Sequence, residues 1–150
     1  MELTDRFVAT ASPEDVWALF WDLPRVAMCL PGCEKIEAID DTHLQARMVQ
    51  KVGPFQIAMD LDLIVDEISE GERVVVSGSG KDRMGNRLKL SKLSLELKPG
   101  TSETDIAYVM DFNLYGRLAS LGNSVIKRKA EEMRQEFTRR ILAELETGAL

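Results

Sequence analysis

The chain has 150 residues, 45% apolar and 29% charged, enough for one domain (residues 1–150) with a real core. A formal net charge of −6 argues against nucleic-acid binding, because phosphate contacts need an excess of Lys and Arg. No stretch approaches the roughly 20 apolar residues of a membrane span, and the opening Met1-Glu2-Leu3-Thr4-Asp5-Arg6 is not a secretory signal, so a cytoplasmic location is expected.

In chain order, Leu3–Thr10 reads as a short strand. Ser12 is placed to cap a helix, with Pro13 at its first position and Asp15 three residues on. Val16, Leu19 and Phe20 fall on one face of that helix, flanked by Trp17 and Trp21. A second short helix is expected over Pro24–Met28, stopped by Leu30-Pro31-Gly32. Cys29 and Cys33 bracket this stop. Their C-x3-C spacing lacks the further ligands of a zinc site, and two small semi-buried thiols are expected. The period then changes to two. Leu44, Ala46 and Met48 alternate with polar residues, and after the Gly53-Pro54 turn so do Ile57, Met59, Leu61, Leu63 and Val65. Strands follow over Val74–Gly80 and from Leu88 to Leu97. In the latter the apolar series slips phase between Leu90 and Leu93, which predicts a β-bulge near Ser91-Lys92. A last strand carries Ile106, Tyr108, Met110, Phe112 and Leu114 on one face. From Arg117 to Glu146 the pattern is helical, with Leu118, Leu121, Val125, Met133, Phe137, Ile141 and Leu145 as its stripe. Gly148-Ala149-Leu150 is expected to fray.

Runs of strands followed by one long helix define an α+β class: a curved antiparallel sheet of six to seven strands around a C-terminal helix. Seven strands at about 4.8 Å spacing make a sheet roughly 30 Å wide. One helix is only about 10–12 Å in diameter. A flat sheet would leave much of its apolar face wet, so the sheet must curl around the helix, helped by bulges and by Gly78 and Gly80. An elongated pocket between sheet and helix is the physical expectation. The inward methionines Met48, Met59, Met110 and Met133 suit either a pocket for irregular guests or plain core filling.

This order of elements is the helix-grip plan of START domains, polyketide cyclases and birch-pollen allergens. Within it the chain resembles the CoxG-like family of carbon monoxide dehydrogenase accessory proteins. The resemblance rests on Ser12-Pro13-Glu14-Asp15-Val16-Trp17, on Leu30-Pro31-Gly32-Cys33-Glu34-Lys35-Ile36, and on the Lys51-Val52-Gly53-Pro54 turn. It extends to the run from Phe112 through Tyr115-Gly116-Arg117 to Gly122 and the long helix. The short Arg83-Met84-Gly85-Asn86 connection departs from the pattern. The resemblance implies a non-catalytic accessory role beside a molybdenum hydroxylase such as carbon monoxide dehydrogenase. It also implies recruitment to the inner face of the membrane and binding of a quinone or similar lipid.

The residues themselves offer few catalytic parts. His43 is the only histidine and is expected in a solvated turn. No Ser or Cys has an identifiable base partner. Asp60, Asp62 and Asp66 share a strand face, but the outward one, so no metal is expected. Gly78-Ser79-Gly80-Lys81 lies in a strand and lacks the setting of a phosphate loop. No cofactor is expected. Ligand contacts are assigned to Met59, Leu61, Tyr108, Met110, Phe112, Val125, Met133 and Phe137, with the Tyr108 hydroxyl near a polar head group. Gly122 is read as an interior helix glycine, there either for close packing or as a gap for ligand entry. Residues 117–146 hold seven basic and five acidic residues, against twelve and twenty in 1–116. Lys127, Arg128 and Lys129 are therefore the candidates for contact with anionic lipid or a partner protein. Two alternatives stay open: a cyclase- or dehydratase-type enzyme using the same pocket, and a solid-core interaction module.

Overall fold

The structure is a computed structural model that describes residues 1–100 and 103–148. Its elements are β1 (Glu2–Ala9), α1 (Pro13–Trp21), α2 (Leu23–Met28), β2 (Cys33–Ala38), β3 (His43–Val52), β4 (Phe55–Ser69), β5 (Arg73–Lys81), β6 (Arg87–Pro99) and β7 (Thr104–Tyr115). A 3₁₀ turn over Arg117–Leu121 leads into α3 (Asn123–Gly148). Ala149 and Leu150, in the segment expected to fray, lie outside the described residues.

The seven strands form one antiparallel sheet in the order β1-β7-β6-β5-β4-β3-β2, open at β1 and β2. Along six of them the chain meanders, and β1 closes onto β7, pairing Leu3 with Met110 and Phe7 with Ile106. The anticipated bulge is present: between β6 and β7 the ladder slips from Leu90 to Lys92, leaving Ser91 over. The same β6 bulge shows on its other side, where Ser91 and Lys92 stand opposite Ser77 of β5; a second bulge leaves Asp66 over between β4 and β5, and a third leaves Glu34 over between β2 and β3. Those of β4 and β6 lie within two residues of a single cross-strand row, Val65–Val76–Leu93–Met110. Two bulges aligned on one row bend their strands at the same level, which helps this sheet to curl. Just beyond it, a Cβ on Gly80 would lie 2.4 Å from Leu61 Cδ2, and one on Gly78 would lie 2.3 Å from Asp62 O. The bare backbone of β5 is what lets the β4 side chains lie across it.

Ser12 caps α1 as expected, its Oγ accepting from Asp15 N at 3.2 Å, with Pro13 at the first helical position. Val16, Leu19 and Phe20 are fully buried. They join Val74, Leu95, Leu97, Ile106, Ile141 and Leu145 in a packed core at the C-terminal end of α3. Each such side chain contributes about 1.5–3 kcal/mol on burial.

One expectation is corrected at Gly122. The helical segment is not continuous from Arg117. Gly122 adopts φ +90° and ψ 157° and separates the 3₁₀ turn from α3. A Cβ there would meet nothing within 4 Å, so close packing does not explain the glycine. The backbone conformation does, because that region is almost closed to residues with a side chain. A second glycine turn, Gly116 at φ +91°, is latched from outside. Buried Asn86 accepts from Leu118 N at 2.9 Å, while its Nδ2 donates to Asp82 Oδ2 at 2.8 Å.

Candidate ligand-binding cavity

Between the curled sheet and α3 lies a cavity of about 200 Å³, partly open to solvent. It exceeds the ~150 Å³ apolar cavity known to admit benzene in an engineered protein. Its position follows from the packing. The C-terminal half of α3 is covered by α1 and the core around Phe20 and Ile106. At the other end Leu118 of the 3₁₀ turn joins Ala46, Ile57, Met59 and Leu61 in a separate apolar cluster. Between these plugs the space stays unfilled: the near backbone neighbours of α3 are mainly β1, the 3₁₀ turn, α1 and β3, not the middle strands of the sheet. The interior is therefore not the uniformly solid core of an interaction module.

The wall is built from the inward faces of β3, β4, β6 and β7 and from one side of α3. Seven of the eight residues assigned from the sequence line it: Met59, Leu61, Tyr108, Met110, Phe112, Met133 and Phe137. Val125 does not. It sits near Gly53 at the β3–β4 hairpin, and Ile126 and Ala130 line the cavity instead. The break at Gly122 resets the helix phase, and a stripe drawn straight through it selects the wrong neighbour. Met48, Ile57, Leu63, Leu88, Leu90 and Leu114 also line the wall. Strand alternation had already placed these residues on inward faces.

Leu30 reaches the wall from a loop with its own logic. Gly32, at φ +84°, lies so close to β3 that a Cβ would be 2.1 Å from Val49 O. Gly32 O accepts from Val49 N at 2.8 Å, and Pro31 O accepts from Gln50 Nε2 at 2.6 Å. The Leu30-Pro31-Gly32 turn is thus fastened to β3 and holds Leu30 in place. Its flanking thiols are both free, Cys29 buried and Cys33 half-buried. Desolvation pushes the Cys29 thiol up to about 11, which keeps it protonated and unreactive near neutral pH.

The expectation that Tyr108 offers its hydroxyl to a ligand is corrected. Its ring lines the cavity, stacked edge-on against Phe137 with centroids 5.4 Å apart. The hydroxyl is turned into α3, sharing its proton between Thr138 Oγ1 (3.3 Å) and Arg134 O (3.4 Å). Thr138 in turn donates to Asp5 Oδ2 at 2.8 Å. Burial pushes the Tyr108 phenol above its ordinary value, against the opposing Thr138 hydrogen bond. Arg134, also at the wall, is engaged by Asp5 and by Glu131, each at 2.9 Å. This network ties α3 to β1 and β7.

Lys127 and Arg128 are exposed, whereas Lys129 is half-buried: its side chain lines the cavity, and its Nζ lies 4.0 Å from the exposed Glu132 carboxylate. His43 lies on the outer face of the sheet, where its Nε2 is 3.2 Å from Asp62 Oδ1. Hydrogen bonds from His43 and Gln45 hold the Asp62 carboxyl below its ordinary value. Asp60 pairs with Arg47 at 3.2 Å, and Asp66 is exposed. Among the described residues no cluster of His, Cys, Asp and Glu is arranged to hold a metal ion. No described helix is long and apolar enough to cross a membrane.

An open antiparallel sheet gripping a C-terminal helix over an apolar hollow defines a START-type, helix-grip fold. Solved structures agree on the fold. A conserved protein from Geobacillus kaustophilus superposes with a TM-score of 0.87 at 17% identity, covering 98% of this chain and 96% of its own. A START superfamily protein from Mycobacterium smegmatis gives 0.73 at 11% identity, covering 97% of each. The Zhui aromatase/cyclase from Streptomyces sp. R1128 gives 0.72 at 11%, covering 100% of this chain and 96% of its own. No curated protein matches the chain closely enough to count as a relative. The sequence model of the carbon monoxide dehydrogenase CoxG family matches residues 6–146, and the chain belongs to that family.

Proposed function

We propose that this protein is a non-catalytic carrier of a quinone or similar lipid, acting beside a molybdenum hydroxylase of the carbon monoxide dehydrogenase type. The observation that carries the reading is the apolar cavity between the curled sheet and α3. Family membership supports the hydroxylase partner. A cavity of about 200 Å³ suits a ring or the first stretch of a chain, with the remainder leaving through the open side. Contacts come from Met59, Leu61, Met110, Phe112, Met133 and Phe137 and from the Tyr108 ring. Methionines suit such a wall because their flexible thioethers adapt to irregular guests. Tyr108, Arg134 and the Gln50 amide are engaged within the protein, and no Asp or Glu is among the described residues that line the cavity, which favours a carrier over a cyclase. Exposed Lys127 and Arg128 supply attraction to anionic lipid of about 1 kcal/mol per basic residue.

Native mass spectrometry of the purified protein, with lipid extraction, tests the carrier reading. A quinone or lipid recovered in stoichiometric amount is expected. Protein recovered empty from several preparations, and failing to take up added quinone or lipid, overturns it.

A further inference from the structure

We infer that the end of the sheet formed by the β5–β6 hairpin and the turn leading into α3 docks on an anionic lipid bilayer, with Met84 and Tyr115 entering its interface. The inference rests on the carrier reading and gives it a face through which lipid is exchanged. Charge is divided unevenly between the two ends of the sheet. Residues 50–56, 81–89 and 113–128 surround the connections at one end: β3–β4, β5–β6 and β7–α3. They hold eight basic residues and one acidic, in a chain that has 19 and 25. All eight are exposed, among them Lys81, Arg83, Arg87, Arg117, Lys127 and Arg128. Among the described residues none of the eight is in an ion pair, whereas seven of the remaining eleven are. The one acid, Asp82, is occupied by the Met84 and Asn86 backbone amides and by the Asn86 side chain. The opposite end is acidic, with Asp66, Glu67, Glu70 and Glu72 around the β4–β5 hairpin. Such a division turns the basic end towards an anionic surface as the chain approaches it.

Apolar groups stand at the same place. A Cβ on Gly116 would lie 2.5 Å from Gly85 O, so the hairpin tip touches the start of the turn. The chain neighbours of these glycines, Met84 and Tyr115, are 61% and 49% exposed. An exposed thioether and a phenol among unpaired arginines match the layered chemistry of a bilayer interface, where apolar side chains enter below cations that meet the head groups. The cavity favours a bilayer over an acidic protein as the occupant. Leu88, Leu114 and Leu118 line it, and each is the chain neighbour of a residue on the docking face: Arg87, Tyr115 and Arg117. The face that meets the bilayer is therefore backed by the apolar wall, and a lipid crossing between them has little polar surface to pass.

The test is sedimentation of the full chain with vesicles of mixed phosphatidylglycerol and phosphatidylcholine, and with phosphatidylcholine alone. The unmodified protein is expected to bind the mixed vesicles, less strongly as salt rises, and to bind phosphatidylcholine far more weakly. Arg83→Gln with Arg117→Gln lowers the partition coefficient for mixed vesicles by about tenfold or more. Met84→Ser with Tyr115→Ser also lowers it, and that loss persists at high salt. Arg6→Gln with Lys98→Gln, exposed cations on strand segments near the opposite end, leaves it unchanged. Uptake of diphenylhexatriene from solution, the same in every variant, shows that fold and cavity are intact. No binding of the unmodified protein to mixed vesicles, or an equal loss from the two neutralised pairs, overturns the docking face and leaves the carrier reading standing. Self-association that Arg83→Gln and Arg117→Gln abolish, without vesicle binding, overturns the bilayer and assigns this end to the acidic end of a second copy. Failure of the unmodified protein to take up diphenylhexatriene, whatever the vesicles show, overturns the carrier reading and the exchange built on it.

Discussion

Replacing Ala130 by Leu sets a hollow interior against a filled one by the sign of a single number. Ala130 is 7% exposed and faces the cavity beside Leu3, Leu90 and Phe112. The substitution adds three carbons in a helix where Leu is nearly as favourable as Ala. If they enter empty apolar space, burial at about 0.8 kcal/mol per carbon contributes about 2.4 kcal/mol. Ordering the Leu side chain costs about 0.5–1 kcal/mol, leaving a gain of about 1.5 kcal/mol. For a chain of this size that raises Tm by about 3–6 °C. In a close-packed core the same carbons would force neighbours apart and cost about 1–3 kcal/mol. The assay is urea and thermal unfolding of delipidated protein, since bound lipid would occupy the same space and reverse the sign. A stabilised variant with weakened binding of a hydrophobic probe is expected. Destabilisation by about 1 kcal/mol or more would refute the cavity.

Gly122→Ala should destabilise the fold by about 1–3 kcal/mol despite the open space around its Cβ, because the cost lies in the backbone, and a fall in the urea midpoint at unchanged slope would register it. Asn86→Ala, which strands Leu118 N and removes a partner of Asp82, should cost about 2–3 kcal/mol in the same assay. Desolvation pushes the Asp82 carboxyl up, but hydrogen bonds from the Asn86 side chain and from the backbone of Asn86 and Met84 outweigh it and hold the group below 3.8. A depressed carboxyl stabilises the fold above its unfolded value and loses that contribution as pH falls through the folded one. Stability should therefore drop from about pH 4 downward, and Asp82→Asn should flatten that part of the curve.

Where side chains speak, the sequence was a good guide. The Ser12-Pro13 start, the buried face of α1, the inward sets of β3, β4 and β7 and the bulge at Ser91 were all legible. Each rests on alternation or capping chemistry within a few residues. β2 was not legible. Cys33-Glu34-Lys35-Ile36-Glu37-Ala38 is an edge strand with no fully buried residue and so no alternation to read. The break at Gly122 was masked by an apolar period that runs on past it.

Amino-acid order by itself determined which residues are apolar at which period, hence a long sheet, one long helix and too little helix to cover it. Tertiary structure alone decided that the bulges of β4 and β6 fall on one line, that α3 begins after a glycine turn and so presents Ile126 rather than Val125, and that Tyr108 and Arg134 face partners within the protein. Periodicity is a property of neighbours along the chain. The direction of a polar side chain depends on groups such as Asp5 and Thr138, 133 residues apart in sequence and 2.8 Å apart in space.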